Sequence, residues 1–263
     1  MSDRSKSSAL QRGGRARLGR FIDHTETYGA HVIESMLRQV RAVQVAVDLG
    51  AGTGRDLRLI KHLHPQAHTV AVEAAGDSAE ALRGIADDVF LLDIERDTLP
   101  FADNSVDVII ANQIMEHTKE VFWIFHQVAR TLRPGGKFIM GVPNVLSMHN
   151  RFGSLAGVHP TQHKLSCAHV RPFSRRDTEI FLQDCSPGTF KLSGFGGSQF
   201  YPFPKAISRI LAGAFPNAAF SIFFSFEKVG AYHDGFAKYP ERAQLETNFF
   251  VGRDQASRFS RAA

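Results

Sequence analysis

The segment Asp48-Leu49-Gly50-Ala51-Gly52-Thr53-Gly54 places three glycines at alternate positions directly behind an apolar run, VQVAVDL (43–49). Glycines there let the backbone turn sharply and approach a ligand closely, and a helix opening after them points its first N–H groups into the same space. Glu73 lies in a second run, TVAVEA (69–74), where a carboxylate can accept both hydroxyls of a ribose. Asp93 lies in a third, VFLLDI (89–94), within reach of an adenine amine. Three successive strands thus bring complementary groups to one edge; packing for the glycines and solvated strand ends for the acids are the plain alternative. The spacing GxGxG, with Asp48 two positions before the first glycine, differs from the dinucleotide pattern GxGxxG, whose third glycine would fall at Arg55. An adenosyl cofactor is expected rather than a dinucleotide.

These groups need a parallel sheet to hold them. From Val43 to Val142 short apolar runs alternate with helical patterns, the signature of βαβ units, with further strands at VDVIIA (106–111) and KFIMGV (137–142). Arg55 to Leu63 and Lys119 to Leu132 carry apolar residues at helical spacing, and Arg133-Pro134-Gly135-Gly136 ends the second helix and turns the chain into the fifth strand. A His-, Gly- and Asn-rich segment, 144–172, reads as a lid inserted after that strand. Beyond it come a helix near 174–185, a strand near 189–195, a helix near 205–214 whose stripe Ile207, Ile210, Leu211 and Ala214 is expected in the core, and a strand at 220–228. The fold expected is α/β, a doubly wound Rossmann-like sheet.

With 263 residues, 43% hydrophobic and 22% charged, the chain suits one globular domain and not a disordered polymer. The net charge of +5 comes largely from Arg4, Lys6, Arg12, Arg15, Arg17 and Arg20. Residues 1–27 therefore read as a solvated, poorly ordered tail, 28–230 as the domain and 231–263 as a polar extension. Without that tail the body is nearly neutral, so the net charge is no sign of a nucleic-acid partner, and none is expected. No secretory signal or transmembrane run is visible, and the two cysteines fit a reducing compartment, so a cytoplasmic location is expected. Thirteen of the 22 phenylalanines follow residue 186; core filling is the plain reading, an apolar acceptor or peripheral membrane contact the sharper one.

The chain resembles the class I S-adenosylmethionine-dependent methyltransferases through DLGAGTG (48–54), Glu73, DIERDTLPFADNSVDVIIANQIMEH (93–117) and LRPGGKFIMGVPN (132–144). The resemblance implies a seven-stranded sheet with an antiparallel last strand and S-adenosylmethionine as cofactor. It implies that Asp48, Gly50, Ala51, Gly52 and Gly54 line the methionine and ribose, Glu73 holds the ribose, Asp93 and the backbone at Ile94 hold adenine, and Asn112 faces the methionyl end. LPFADNSVDVII (99–110), followed by MEH and LRPGG, looks like the branch acting on small molecules, and the absence of an Asn/Asp-Pro-Pro-aromatic motif after the fourth strand, which reads ANQIME, disfavours nucleic-acid methylation. Residues 143–144 and 169–182 are similar to enzymes of sugar, lipid-linked glycan and secondary-metabolite pathways.

Methyl transfer to a hydroxyl requires loss of its proton, and a histidine near the methyl is the expected general base. The candidates, in order, are His149, His117, His169 and His163; a capping or surface role is the alternative for each. No linear His/Cys spacing for a metal is present, so none is expected. The expected reaction is O-methylation of a sugar or glycan intermediate. Its rivals are O- or C-methylation of an apolar quinone or polyketide, and a non-catalytic cofactor-binding regulatory subunit; a homodimer is compatible with either.

Overall fold

The computed structural model describes residues 24–252 apart from Ala75 and Lys164. Strands β1 (Val45–Leu49), β2 (His68–Glu73), β3 (Asp88–Leu91), β4 (Val106–Asn112), β5 (Leu132–Pro143), β6 (Phe190–Ser198) and β7 (Ser221–Lys228) form one sheet in the order β3-β2-β1-β4-β5-β7-β6. All neighbours pair in parallel except β7, which runs antiparallel to both β5 and β6. The order reverses between β1 and β4, which opens a crevice at their carboxyl ends.

The helices are α1 (Ala30–Leu37), α2 (Arg55–Leu63), α3 (Gly76–Arg83), α4 (Val121–Thr131), α5 (Met148–Leu155), α6 (Arg175–Cys185), α7 (Lys205–Ala214) and α8 (Gly235–Arg242). Strand alternation divides the core between two faces. Val108, Ile110, Ile139 and Phe223 join Ile33, Leu37 and Ile60 of α1 and α2, whereas Ile109, Phe138, Phe224 and Phe226 join Phe125 of α4, Leu182 of α6 and Phe236 of α8. Covered on both sides, β4 is buried along its whole length, which is why its sequence is a continuous apolar run.

Four boundaries differ from the sequence reading. Strand β3 ends at Leu91, not Ile94: it is an edge strand, and a turn in which Asp93 Oδ1 accepts from the Glu95 N–H takes over from the ladder. The Arg133–Gly136 segment lies within β5 as a bulge, with Leu132 opposite Val106 and the next pairing at Lys137–Val108. The folded body reaches into the expected tail, because Glu26 is buried and holds Arg209 through bonds of 2.8 and 2.9 Å; the rest of that tail, through residue 23, lies outside the described residues, as do residues 253–263. The extension contributes α8, whose Phe236 is fully buried against Phe125 and Phe181.

Helix α7 departs from its expected orientation: of the stripe Ile207, Ile210, Leu211 and Ala214, only Leu211 packs against a buried cluster. Ser208 and Ala212 are buried, while Ile207 and Ile210 are exposed. Small residues win the inner face because the helix approaches β6 closely: a β-carbon on Gly197 would stand 3.1 Å from the Ala212 carbonyl oxygen. Among the described residues no helix is long and apolar enough to cross a membrane.

Lys228 closes the far end of the sheet. Only 2% exposed, it donates to Asn104 Oδ1 at 2.7 Å, Ala129 O at 2.6 Å and Leu132 O at 2.7 Å, tying β7 to the end of α4; burial pushes its pKa down. Replacing Lys228 with Met strands these acceptors without creating a large void. We expect a loss of about 2–5 kcal/mol in urea unfolding, and an unchanged midpoint would contradict this role.

Candidate active site

The glycine loop follows β1, and its N–H groups at Gly50 and Ala51 bond to the Val72 carbonyl at 2.8 and 3.3 Å, so the loop is stitched to β2. All three glycines have positive φ, at 68°, 52° and 72° for Gly50, Gly52 and Gly54. Their surroundings separate their roles. A β-carbon on Gly50 would meet Ile114 at 2.8 Å and one on Gly54 would meet Ile85 at 2.8 Å, whereas Gly52 has nothing nearer than 3.9 Å. Gly50 and Gly54 are thus required by packing, and Gly52 keeps open space above the loop. Ala51 packs its methyl group into the cluster with Leu57 and Leu82.

Glu73 spans the loop: its carboxylate accepts from the Gly52 N–H at 2.9 Å and the Ala74 N–H at 3.0 Å. Beside it lie Asp48, at the end of β1, and Asp56, in the first turn of α2, both buried. Asp56 is held by Arg55 through two bonds of 3.0 Å and by Asn112 Nδ2 at 2.8 Å, and Asn112 Nδ2 also donates to Tyr28 O at 3.1 Å. Arg55 in turn stacks on the Tyr28 ring at 4.3 Å. Burial, reinforced by the Asp56 and Glu73 charges against the opposing Arg55, pushes the Asp48 carboxyl well above the usual range. This crowd of carboxylates around an open loop suits a ligand carrying positive charge. Asp93 stands exposed in its turn beyond β3, and Ile94 packs against the core.

Beyond β4, Gln113 adopts φ 58° and leaves its buried Nε2 without a partner. A 3-10 turn, Met115–His117, follows. Glu116 is 1% exposed, burial pushes its carboxyl to about 7, and Oε2 has no partner. His117 Nε2 lies 3.9 Å from Glu116 Oε1, the His117 and His169 ring centroids are 4.6 Å apart, and His163 is 6.1 Å from His169. Three of the four candidate histidines therefore meet. His149 stands apart, with Nδ1 3.2 Å from Ser147 Oγ and Nε2 3.1 Å from Thr161 Oγ1, stacked on Phe220.

Residues 47–140 match the family model described as a methyltransferase domain. Residues 47–140 are thus a methyltransferase domain, and the sheet that contains them has the fold of class I S-adenosylmethionine-dependent methyltransferases. It is 28% identical over 139 residues to the malonyl-[acyl-carrier protein] O-methyltransferase of Xylella fastidiosa, covering 51% of this chain and 44% of that protein. With the enzyme of the same name from Methylococcus capsulatus it shares 34% over 94 residues, covering 35% and 34%. The chain thus spans less than half the length of these curated relatives. In fold it matches a chain of the Haloferax volcanii complex between a methyltransferase and its activator, with TM-score 0.56, 17% identity and coverage of 83% and 96%.

The cofactor of this methyltransferase domain is S-adenosylmethionine, and the residues fit it: the space over Gly52 is open, and the buried carboxyls of Asp48 and Asp56 lie beside the loop. Tyr28, Asp56, Gln113 and Glu116 escaped the sequence reading. Asp56, an acid two places past Gly54 in an amphipathic helix, carried a usable signal; Tyr28 and Gln113 carried none.

Calorimetric titration of Glu73→Ala with S-adenosylmethionine should show affinity lowered at least about tenfold, the scale of a lost charged hydrogen bond. Gly52→Ala should weaken binding similarly while costing only about 1 kcal/mol of stability from its positive φ. Native-like binding by either variant would remove that residue from the cofactor site.

Proposed function

We propose that this chain transfers the methyl group of S-adenosylmethionine to an oxygen of an anionic small-molecule acceptor, with the carboxylate of an acyl group as the acceptor class. Bound to the loop, the cofactor supplies an electrophilic methyl on a sulfonium. Glu73 holds its ribose, Asp93 and the Ile94 backbone hold the adenine, and Asn112 with Asp56 fixes the methionyl end.

The observation that carries the acceptor reading is a cavity of about 300 Å³ at the carboxyl edge, beyond β5, whose lining includes three arginines and one acid, Arg151, Arg175, Arg176 and Glu179, with Asn144 and Asn217. Arg175 pairs with Glu179, and Arg176 makes no ion pair among the described residues, so the cavity carries uncompensated positive charge. Arginine matches a carboxylate with paired donors. On the adjoining α5 lid, Phe152 and Leu155 are exposed and offer an apolar chain a place to lie. Both curated relatives are named as O-methyltransferases of a malonyl group, which supports the same class.

A carboxylate is ionised at neutral pH and needs no general base. That accords with His149, whose two ring nitrogens are both engaged. A sugar or glycan intermediate, the acceptor suggested by residues 143–144 and 169–182, needs its hydroxyl proton removed, and one that carries a phosphate would also suit the positive cavity.

Mass spectrometry after incubation with S-adenosylmethionine and either malonyl-pantetheine or a hexose phosphate separates these sources. An alkali-labile methyl ester on the acyl substrate, with KM raised roughly tenfold or more in Arg176→Ala and kcat little changed, is expected. An alkali-stable ether on the sugar would replace the acyl acceptor. Cofactor binding without turnover on any acid would favour the regulatory reading.

A further inference from the structure

We propose that Glu116, His117 and His169 form a binding site for one divalent transition-metal ion of the zinc class. One ligand atom from each of the three lies within 4.8 Å of the others. The main chain sets this convergence, because the Val170 and Arg171 N–H groups both bond to the Glu116 carbonyl, at 2.8 and 3.1 Å, and so clamp the lid beside the 3-10 turn. A tetrahedral ion with bonds of about 2.0–2.1 Å holds its ligands roughly 3.4 Å apart, so only small side-chain adjustments are needed.

A second observation is independent of the clustering. Glu116 Oε2 and His169 Nδ1 are buried with no hydrogen-bond partner, and no Lys or Arg pairs with Glu116 among the described residues. A buried carboxylate oxygen without a donor is costly, and a cation at this point satisfies it. The histidine tautomers also suit a metal. His117 Nδ1 lies 3.3 Å from Ala168 O and donates to it, which leaves the lone pair of Nε2, the atom beside Glu116, free to ligate.

The donor set is one carboxylate oxygen and two imidazole nitrogens, which suits zinc and leaves a coordination position open. The site rests on neither the acceptor reading nor the cofactor. It has no linear signature, since His169 comes from the far side of the lid.

The test is made on the full chain after chelation, without S-adenosylmethionine or acceptor: Zn²⁺ by calorimetry and Co²⁺ by visible absorption. One ion per chain is expected, with Co²⁺ giving the strong bands of four- or five-coordination. Glu116→Gln and His169→Ala should each weaken binding by more than about 100-fold, the upper end of what loss of an outer-shell partner costs, and exposed His62→Ala should not. If one variant fails to fold, the other and the native stoichiometry decide. Absence of one-to-one binding by the native chain, or binding that survives both substitutions, overturns the site.

Discussion

The hydrogen bond between Asn112 and Asp56 joins the parts of the chain that make the crevice. Asn112 ends the central strand and Asp56 begins the helix after the glycine loop, so one buried bond of 2.8 Å sets the loop's height above the sheet. Its surroundings leave little freedom. A β-carbon on neighbouring Gly141 would lie 2.4 Å from Asn112 Oδ1 and 2.6 Å from the ring of Phe223, which also presses on Gly29. Strands β4, β5 and β7, helix α2 and the segment entering α1 are therefore mutually constrained, and a shift in one is felt at the loop.

Around this bond the acids are held at a cost. Asp48 is desolvated beside two other carboxylates, and Arg55 offsets only part of their repulsion. That crowding raises the Asp48 pKa, and a cation beside these carboxylates would favour their ionised form. At Glu116, too, a carboxylate is buried, and its Oε2 has no donor. Each place leaves a buried polar atom unpaired, Asn112 Oδ1 in the first and Glu116 Oε2 in the second, and both stand at the carboxyl edge where the topology opens a crevice.

The parts outside the sheet's first half serve that edge as well. Glu26 anchors the entering segment to Arg209, which places Tyr28 over Arg55. The C-terminal helix plugs the core beneath α4 with Phe236, and Phe249 packs on Phe122 at 4.9 Å, so a stretch that looked like a polar appendage supports the helix following the 3-10 turn. The internal bonds of the lid, Asn150 to Gln162 at 2.6 Å and the Thr161 N–H to Asn150 at 3.0 Å, make it a built element.

The sequence by itself determined the strand and helix succession from β1 to β5, the glycine loop and the acid at Glu73, because these depend on local periodicity and on glycine's access to positive φ. It also determined the antiparallel last strand once the family resemblance was seen. Only the tertiary structure decided which glycine leaves open space, which face of α7 points inward, that His149 is tied within the lid, and that His169 meets Glu116 and His117. Those outcomes turn on distances between segments remote in the chain. The close approach of α7 to β6 outweighs its apolar stripe, and backbone bonds from the lid to Glu116 set which histidines converge; neither contact leaves a pattern in the order of residues.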